Sequence, residues 1–431
     1  MALTGRVPLL LLAGVPLVLL APRAATVAVW TALVVAVTLL DLALAPRPQD
    51  VEIEREPARL APMRLGEPTT TTLRLRSRRR ARCLVRDAWQ PTAGATGERH
   101  RRVLTADVDV RVTTDLRPSR RGDLEAAGVT LRISGPLGLA ARQRTRAVPG
   151  VVRVLPAFPS RRALPSRLAR LHELDGRTAV LQRGAGTEFD SLRDYARGDD
   201  VRAVDWRATA RARRPVVRTW RPERDRRIVL VVDSGRTSAA RVGEAPRLDA
   251  ALDAALFLAA LAARAGDRVD LVVGDRTVRA RARSGRERDG GVRRFDDALA
   301  GVEPVLAEAD WSVLAGAVGE LGRHRALVVL LTALDAAPLE EGLLPLLPAL
   351  VARHRVVVAT TREPELRTLA AMRTTLAAAY AAAAAEQALA ERRRTARLLA
   401  TLGVEVVDAE PGDLAVDLGD RYLALKAAGL L

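Results

Sequence analysis

The sequence predicts a multidomain protein with an N-terminal transmembrane helical hairpin, an antiparallel β-sandwich-like domain and a C-terminal α/β doubly wound domain. Three observations predict it: two apolar runs near the N-terminus, period-two alternation of apolar and polar residues from about residue 48, and alternating strands and helices from residue 228. The predicted parts are the hairpin (1–46), the sandwich-like domain (47–158), a connector with a charged, aromatic segment (159–227) and the α/β domain (228–431).

The two apolar runs are residues 7–22, which hold no charge, and residues 24–45, which are apolar except for Asp41. A transmembrane helix needs about 20 such residues, and only the second run reaches that length comfortably. A secretory signal followed by one anchor at 26–45 is the alternative to a hairpin. We expect Asp41, close to the membrane interface, to be solvated.

Charges flanking the runs predict the topology. Arg6 precedes the pair, and Arg47, Arg55 and Arg59 follow it, which places both ends in the cytoplasm by the positive-inside rule, although Arg23 in the turn argues the other way. The predicted location is therefore the inner, cytoplasmic membrane, multi-pass, with the soluble domains in the cytoplasm.

The second part has several short segments that alternate apolar and polar residues and are separated by turn signals. They are residues 51–54, 69–76, 108–114, 129–134 and 151–156. Such spacing is typical of an antiparallel sandwich with one face of each sheet buried. No cluster with catalytic or metal-ligand spacing occurs there, so we interpret this domain as structural or as a docking module.

The last part alternates apolar strands with helices, which indicates a mostly parallel sheet covered on both faces. The predicted strands are 228–233, 267–274, 277–284 (at an edge), 325–335, 355–360 and 404–409, and the predicted helices are 248–266, 291–302, 310–322, 338–353, 364–402 and 413–428. Ligands bind such folds at the carboxyl ends of strands. No glycine-rich phosphate motif follows a strand, so nucleotide binding by a known signature is not expected.

Composition limits the function classes. The net charge is +18, but the basic residues are spread among acids along the chain, which favours contact with anionic lipid headgroups over nucleic-acid binding. The single cysteine, Cys83, excludes an internal disulfide framework and a thiolate zinc cluster.

The signature segment, residues 188–227, holds four of the chain's twelve aromatic residues with twelve arginines and eight acids. Guanidinium groups pair with carboxylates and stack on rings, so this mixture predicts a folded polar network. We expect a network that braces the segment onto the α/β domain, formed by Asp199, Asp200, Arg202, Asp205, Trp206 and Arg211. Whether it only joins domains or also binds a partner stays open.

Two stretches carry a family resemblance. Residues 186–211, GTEFDSLRDYARGDDVRAVDWRATAR, and 221–237, RPERDRRIVLVVDSGRT, closely resemble the signature of the bacterial domain-of-unknown-function 58 family, and RRGDL (120–124) with SGPLGLA (134–140) resembles its upstream segment. The candidate interaction residues in the signature are Glu188, Phe189, Arg193, Tyr195, Gly198, Asp199, Asp200, Arg202, Asp205, Trp206, Thr209, Arg211, Glu223 and Arg224.

The resemblance implies a membrane-anchored protein whose last domain is similar to a von Willebrand factor type A module. Such proteins are encoded beside MoxR-type AAA+ ATPases and are thought to act with them in assembling or activating other proteins. The expected function is therefore a non-catalytic adaptor that presents the module to a MoxR-type ATPase or its client. No nucleic-acid partner is expected.

Type A modules often bind a divalent cation through D-x-S-x-S with a later threonine and aspartate. Asp233 and Thr237 match two of these positions, but Gly235 replaces the first serine and Asp335 is displaced by two residues. This degenerate pattern predicts no firm cofactor. Mg²⁺ is the alternative, in which the chain is a cation-dependent binding module that acts without an ATPase.

A metal-dependent hydrolase is the enzyme alternative. Its carboxylates would be Glu188, Asp190, Asp194, Asp199, Asp200 and Asp205. Each has arginines close by in sequence, and the chain lacks H-E-x-x-H and G-x-S-x-G motifs. We therefore assign no catalytic residue.

Overall fold

The computed structural model describes residues 2–181, 188–196, 200–221, 226–243, 245–284, 290–322 and 324–431. It divides into two compact units, Met1–Leu155 and Pro156–Leu431, and each is described by itself.

The first unit begins with a short strand, β1 (Ala2–Leu3), and three apolar helices. These are α1 (Arg6–Leu12), α2 (Val15–Leu20) and α3 (Ala24–Leu44). Among the described residues, the helical stretch that starts with α3 is long and apolar enough to cross a membrane, whereas Arg6–Leu20 is shorter. The indole Nε1 of Trp30 on α3 donates to the carbonyl of Leu10 on α1 over 3.2 Å, so the two helices pack against each other.

The rest of this unit is a sandwich of two mainly antiparallel sheets. The first contains β1, β3 (Met63–Arg64), β5 (Ala81–Trp89), β7 (Arg99–Leu104), β9 (Gly122–Ser134), β10 (Ala140–Arg146) and β11 (Val151–Leu155), and the second runs β2 (Val51–Glu56), β4 (Thr69–Ser77), β8 (Val110–Leu116) and β6 (Ala95–Thr96). Alternate residues such as Leu73 and Leu75 on β4 and Leu131 and Ile133 on β9 form the core between the sheets. The predicted sandwich strands therefore exist, four of them with small changes of boundary, whereas β9 begins at Gly122, seven residues before the predicted start.

One buried ion pair crosses that core. Arg55 on β2 and Asp87 on β5 meet through two nitrogen–oxygen contacts of 2.7 and 3.0 Å. Arg55 also donates to the Thr71 hydroxyl, and its guanidinium lies 4.8 Å from the centre of the Trp89 ring. The two sheets are thus joined by a fixed polar contact as well as by apolar packing.

The expectation that Asp41 is solvated is wrong. Asp41 is buried, and its carboxylate accepts hydrogen bonds from the backbone N–H groups of Leu137, Leu139 and Ala140 over 2.7–3.0 Å. These donors belong to the turn between β9 and β10, so the end of α3 is hydrogen-bonded to the sandwich.

The second unit begins with a 3₁₀ helix (Pro159–Ala163) that leads into helix α4 (Leu164–Leu181). Its main sheet has six strands, in the order β18-β17-β14-β19-β20-β21, with the bounds given next. The strands of this unit are β12 (Glu188–Asp194), β13 (Val216–Arg221), β14 (Arg227–Asp233), β15 (Arg241–Val242), β16 (Ala245–Pro246), β17 (Arg268–Gly274), β18 (Val278–Arg283), β19 (Leu327–Leu331), β20 (Arg355–Thr361) and β21 (Glu405–Ala409). All neighbours in the six-stranded sheet are parallel except the edge pair β17–β18. The predicted edge strand is therefore observed, and it runs antiparallel to its neighbour.

Helices cover both faces of that sheet, and a separate apolar core lies on each face. The further helices of this unit are α5 (Trp206–Ala212), which packs against β13, and α6 (Arg236–Ala239), α7 (Arg247–Arg264), α8 (Gly290–Ala300), α9 (Trp311–Glu320), α10 (Ala336–Pro338), α11 (Leu347–Arg353), α12 (Pro364–Ala371), α13 (Leu376–Thr401) and α14 (Leu414–Ala427). The β-α alternation and the doubly wound sheet predicted from the sequence are therefore present.

Two predicted helices differ from the structure. The segment 364–402 is two helices, because α12 ends at Ala371 and the Thr375 side chain caps a new helix by accepting from the Ala378 N–H. The segment 338–353 contains a π-helical turn, Leu339–Leu343, and a 3₁₀ turn, Leu344–Leu346, before α11. Its prolines, which lack an N–H donor, interrupt regular α-helical bonding.

Candidate functional site

The carboxyl edge of the parallel sheet brings together Asp233, at the end of β14, and Thr332, directly after β19. These two strands are neighbours at the point where the strand order reverses direction. Ligands bind doubly wound sheets at this position, since the loops diverge there and leave a crevice.

Asp233 is 1% exposed and fully hydrogen-bonded. One carboxylate oxygen accepts from the hydroxyls of Thr332 and Thr237 over 2.8 and 3.0 Å, and the other accepts from the Gly235 N–H over 2.7 Å. Burial raises the pKa of Asp233, against the opposing effect of these three donors. Because the hydroxyls of Thr237 and Thr332 donate to the same oxygen of Asp233, they hold its carboxylate in one orientation.

A cavity of about 390 Å³ opens beside this carboxylate. Its polar lining includes Asp233, Thr237, Thr332, Arg236, Glu308 and Glu341, and its apolar lining includes Trp311 and Leu339. Arg236 and Glu308 form an exposed ion pair, with 2.8 Å between Arg236 Nε and the Glu308 carboxylate. Sequence reasoning missed Glu308 and Trp311, because the segment that carries them has no motif.

The fit to a divalent cation is partial. Asp233, Thr237 and Thr332 supply three oxygen atoms but one carboxylate, whereas Mg²⁺ prefers near-octahedral oxygen ligands. Asp335 is not among the residues that line the cavity, and its carboxylate lies 3.4 Å from the buried guanidinium of Arg247. Among the described residues, no group of three or more His, Cys, Asp or Glu side chains could hold a metal.

Close packing explains Gly235. A Cβ atom at this position would lie 2.9 Å from the Ala307 carbonyl oxygen and 3.0 Å from an Asp233 carboxylate oxygen. A serine would therefore need the neighbouring backbone to move. The chain thus lacks the hydroxyl that a D-x-S-x-S motif supplies at this position, and the loop packs closely around a glycine instead.

The signature segment forms a β-hairpin, β12–β13, with α5 inserted before its second strand. Glu188 and Phe189 lie on β12, where their backbones pair with Arg221 and Trp220. Val216 and Val217 on β13 are buried. Four candidate residues, Gly198, Asp199, Glu223 and Arg224, lie outside the described residues.

Asp205 organises the described part of the segment. Its carboxylate caps α5 by accepting from the N–H groups of Arg207 and Ala208 over 3.0 and 2.9 Å, and it pairs with Arg218 on β13 over 2.7 Å. The Ala208 N–H, followed by Arg218, lowers the pKa of Asp205. The Thr209 hydroxyl accepts from the Val216 N–H over 3.0 Å, so α5 is fastened to β13 twice.

The other described candidates make different contacts. Asp200 caps a 3₁₀ turn by accepting from the Arg202 N–H over 2.9 Å. Arg193 donates to the carbonyl of Asp194 and is exposed, as is Tyr195. Each of these contacts joins residues that are neighbours in sequence.

Trp206 and Arg211 lie at the surface of the described part of the segment. Trp206 is 70% exposed, and Arg211 is exposed as well. The single network of six side chains stays a prediction, because Asp199 lies outside the described residues; the described contacts are local helix caps and a pairing between α5 and β13.

The family model described as protein of unknown function DUF58 matches residues 191–397, which include β13, α5 and the carboxyl-edge cavity. Residues 191–397 of this chain therefore match the DUF58 family. The resemblance seen in the signature segment is thereby confirmed. This DUF58 region holds both candidate sites, the cavity beside Asp233 and the exposed surface around Trp206.

Curated relatives include uncharacterized proteins Rv1480 and MT1527 of Mycobacterium tuberculosis and Mb1516 of Mycobacterium bovis. Each is 29% identical over 183 residues, which are 42% of this chain and 56% of the relative. The chain spans about half the length of the curated relatives it matches.

Solved structures with partial similarity include the conserved hypothetical protein BatB from Bacteroides thetaiotaomicron, 13% identical with a TM-score of 0.27, covering 46% of this chain and 98% of that one. A PapD-like domain of human CEP192 is 14% identical with a TM-score of 0.20, covering 26% of this chain and 89% of that one. Both TM-scores are too low to support an argument about fold or function.

Proposed function

We propose that this DUF58 chain is a non-catalytic, membrane-anchored adaptor whose α/β unit is a von Willebrand factor type A-like module that binds a MoxR-type AAA+ ATPase or the client of that ATPase. The observation that carries this proposal is the exposure of Trp206 on a helix that is fixed by Asp205 and Thr209. A large ring held outward on a rigid support is costly to leave in water and is typical of an interface residue.

Arginines add to this surface. Arg207 and Arg211 on α5 are exposed, and so is Arg202 in the preceding turn. Tryptophan and arginine are the residue types that most often dominate binding energy in protein interfaces. The partner surface that this composition favours is apolar with acidic groups around it.

Affinity purification of the full chain from native membranes tests the adaptor proposal. Trp206→Ala and Arg211→Ala should each reduce recovery of a MoxR-type ATPase or client, with roughly 2 kcal/mol lost for a central tryptophan, which is about thirtyfold in Kd. Tyr380→Ala and Arg394→Ala are matched controls, since both residues are exposed on α13. Equal recovery from all four variants would overturn the proposal.

Cation-dependent binding is the second candidate function. The convergence of the Thr237 and Thr332 hydroxyls on the Asp233 carboxylate favours it. Calorimetry of the full chain in detergent with Mg²⁺ or Mn²⁺ decides it. Binding heat that disappears in Thr332→Val and persists in Thr368→Val, an exposed threonine on α12, supports a cation site; an absence of heat in the parent chain eliminates it.

For membrane attachment, we propose a hairpin of α1 with α2 and α3, with both soluble units in the cytoplasm. β1 pairs with β10, and Asp41 near the end of α3 binds the turn that precedes β10. The chain therefore enters and leaves the apolar helices at the same place, as a hairpin requires.

Labelling in intact cells tests this topology. A cysteine at position 23, in the turn between α2 and α3, should react with a membrane-impermeant maleimide added outside the cytoplasmic membrane. A cysteine at Arg47, after α3, should react only after the membrane is opened. The reverse pattern, or labelling of both positions from outside, would contradict the topology.

A further inference from the structure

The place where the apolar helices meet the sandwich is defined by three sets of contacts. Asp41 accepts from the turn at residues 137–140, Arg6 donates to the Leu137 carbonyl over 2.8 Å, and Arg142 donates to the Leu42 carbonyl over 3.1 Å. These contacts lie within one compact unit. The end of the sandwich that carries the 134–140 turn is therefore held next to the start of α1 and the end of α3.

Two further loops share this end. Arg82, at the start of β5, pairs with Ser134, so residues 78–80 between β4 and β5 lie beside the 134–140 turn. The Asp107 N–H donates to the Ser77 carbonyl over 2.8 Å, which places the loop at 105–109 next to them. We call the three loops, residues 78–82, 105–109 and 134–140, the helix-proximal loops.

The helix-proximal loops are strongly basic. Arg78, Arg79, Arg80 and Arg82 are all exposed, and none of the four side chains has an ion-pair partner among the described residues. The acids of these loops face other arginines: Asp107 lies 3.7 Å from Arg76, and Asp109 lies 3.4 Å from Arg74. Four guanidinium groups are thus left facing solvent without a counter-charge.

Apolar side chains accompany these charges. Leu137 is 53% exposed and Val108 is 51% exposed, each at the tip of its loop. A surface that combines arginines with exposed aliphatic groups, placed where a transmembrane helix ends, matches the interface of a bilayer, where phosphates lie just above the acyl chains.

We propose that the helix-proximal loops bind the phosphate groups of anionic phospholipids and hold the sandwich against the membrane surface. Arginine suits this ligand, because its planar fork donates two parallel hydrogen bonds to a phosphate. An anionic leaflet attracts basic groups only within about a Debye length, and the contacts of Asp41 and Arg6 keep the four arginines at the helix ends. This inference rests on the membrane anchoring in the proposed function and does not depend on the ATPase.

The test uses the full chain in nanodiscs of phosphatidylcholine, with and without phosphatidylglycerol. A fluorophore on Val108→Cys reports the distance to lipids that carry a nitroxide on the headgroup. Selective labelling is feasible, because the native Cys83 is buried and burial raises the pKa of its thiol to about 11. The charge variant is Arg78→Gln with Arg80→Gln, and the matched control is Arg99→Gln with Arg117→Gln, two exposed arginines at the other end of their strands.

Quenching should be stronger in phosphatidylglycerol discs and should weaken as salt is added. Each arginine near an anionic surface contributes a factor of about five to binding, so the Arg78 and Arg80 variant should lower the phosphatidylglycerol-dependent quenching to roughly a tenth or less. The control variant should keep it.

Equal quenching in both kinds of disc would overturn the proposal and would point to an acidic protein surface as the partner of these arginines. Equal loss in the two double variants would overturn it as well, because it would reflect net charge alone. A chain that does not enter nanodiscs would refute the membrane anchoring itself, and with it this inference, while the ATPase pull-down would remain a separate result.

Discussion

Arg55 and Asp87 place two opposite charges in the core of the sandwich, where each is almost completely buried. Breaking such a pair is costly because the remaining charge has no counter-ion. We expect Arg55→Ala to lower the free energy of unfolding by about 3–5 kcal/mol, measured by urea denaturation of the full chain in detergent. Arg86→Ala, which removes an exposed pair with Glu98, should cost at most about 1 kcal/mol.

A second comparison separates the ion pair from simple packing. Arg55→Met with Asp87→Leu replaces both charges with apolar side chains, so no buried charge is left without a counter-ion and part of the loss should be recovered. If Arg55→Ala and Arg86→Ala unfold at the same urea concentration, the buried pair contributes nothing of its own.

Asp233 predicts an unusual dependence of stability on pH. Burial raises its pKa, so the folded chain holds a proton at this carboxyl at pH values where the unfolded chain has released it. The free energy of unfolding that this group contributes therefore falls as pH rises through the ordinary aspartate range, about pH 4, and through the raised folded pKa. Asparagine carries no charge that burial would desolvate. The free energy of unfolding of Asp233→Asn should therefore be at least that of the parent chain at neutral pH, and the difference between the two chains should be smaller in acid.

The matched control for that experiment is Asp310→Asn. Asp310 caps α9, and hydrogen bonds from Ser312 and then from the Val313 N–H lower its pKa. The stability that the Asp310 carboxylate contributes is present above the ordinary aspartate pKa and is lost as pH falls through the lowered folded pKa. Asp310→Asn should therefore destabilise the chain most at neutral pH. Urea denaturation in acid and at neutral pH measures both trends, and parallel curves for the two variants would contradict the assignment.

At the scale of elements, Asp205 determines whether α5 stays folded on β13. Because the helix has seven residues, it depends on its cap and on its contact with the strand. We expect Asp205→Ala to speed amide hydrogen exchange at Arg207, Ala208 and Val216. Asp205→Asn keeps a capping oxygen and loses the charge opposite Arg218, so it should protect Arg207 and Ala208 better than alanine does. Unchanged exchange in both variants would show that the cap is dispensable.

Strand prediction from the sequence succeeded where aliphatic residues recur at every second position. Leu73 and Leu75 on β4 and Leu131 and Ile133 on β9 alternate in this way, and the predicted segments lie within these strands, although β9 begins seven residues earlier, at Gly122. β5 was not predicted, because its buried positions include Asp87, and a buried charge breaks the apolar alternation. β10 has no apolar residue after Ala141, so its strand conformation depends on pairing with β9, which is a long-range interaction.

Site prediction had a similar limit. Asp233 and Thr237 could be selected because they follow a buried strand at the carboxyl edge of the sheet. The position of Asp335 could not be predicted in this way. Asp335 contacts Arg247, which belongs to α7 and is distant in sequence. The composition of the signature segment indicated a folded element, and the structure has two strands and a helix there. Composition alone could not show that Asp205 caps the helix or that Trp206 is exposed.

At the scale of the whole molecule, each unit has its own apolar core. The clusters between the sandwich sheets draw on residues 51–154, and the two clusters that flank the parallel sheet draw on residues 158–431. A core that takes no residue from the other unit can form without it, since burial of apolar area is the main favourable term in folding.

We therefore expect a fragment of residues 156–431 to fold without the first unit. It retains the six-stranded sheet, α7 with its buried face, and the buried contact between Tyr422 and Asp267, in which 2.5 Å separates the hydroxyl and carboxylate oxygens. The fragment should be soluble, show an α/β circular dichroism spectrum and unfold in one cooperative urea transition. Phe257→Ala, which empties a fully buried position on α7, should lower the free energy of unfolding by about 3–5 kcal/mol in the fragment and in the full chain alike. An aggregated fragment, or a gradual loss of signal without a cooperative transition, would mean that the parallel sheet depends on the first unit for its stability.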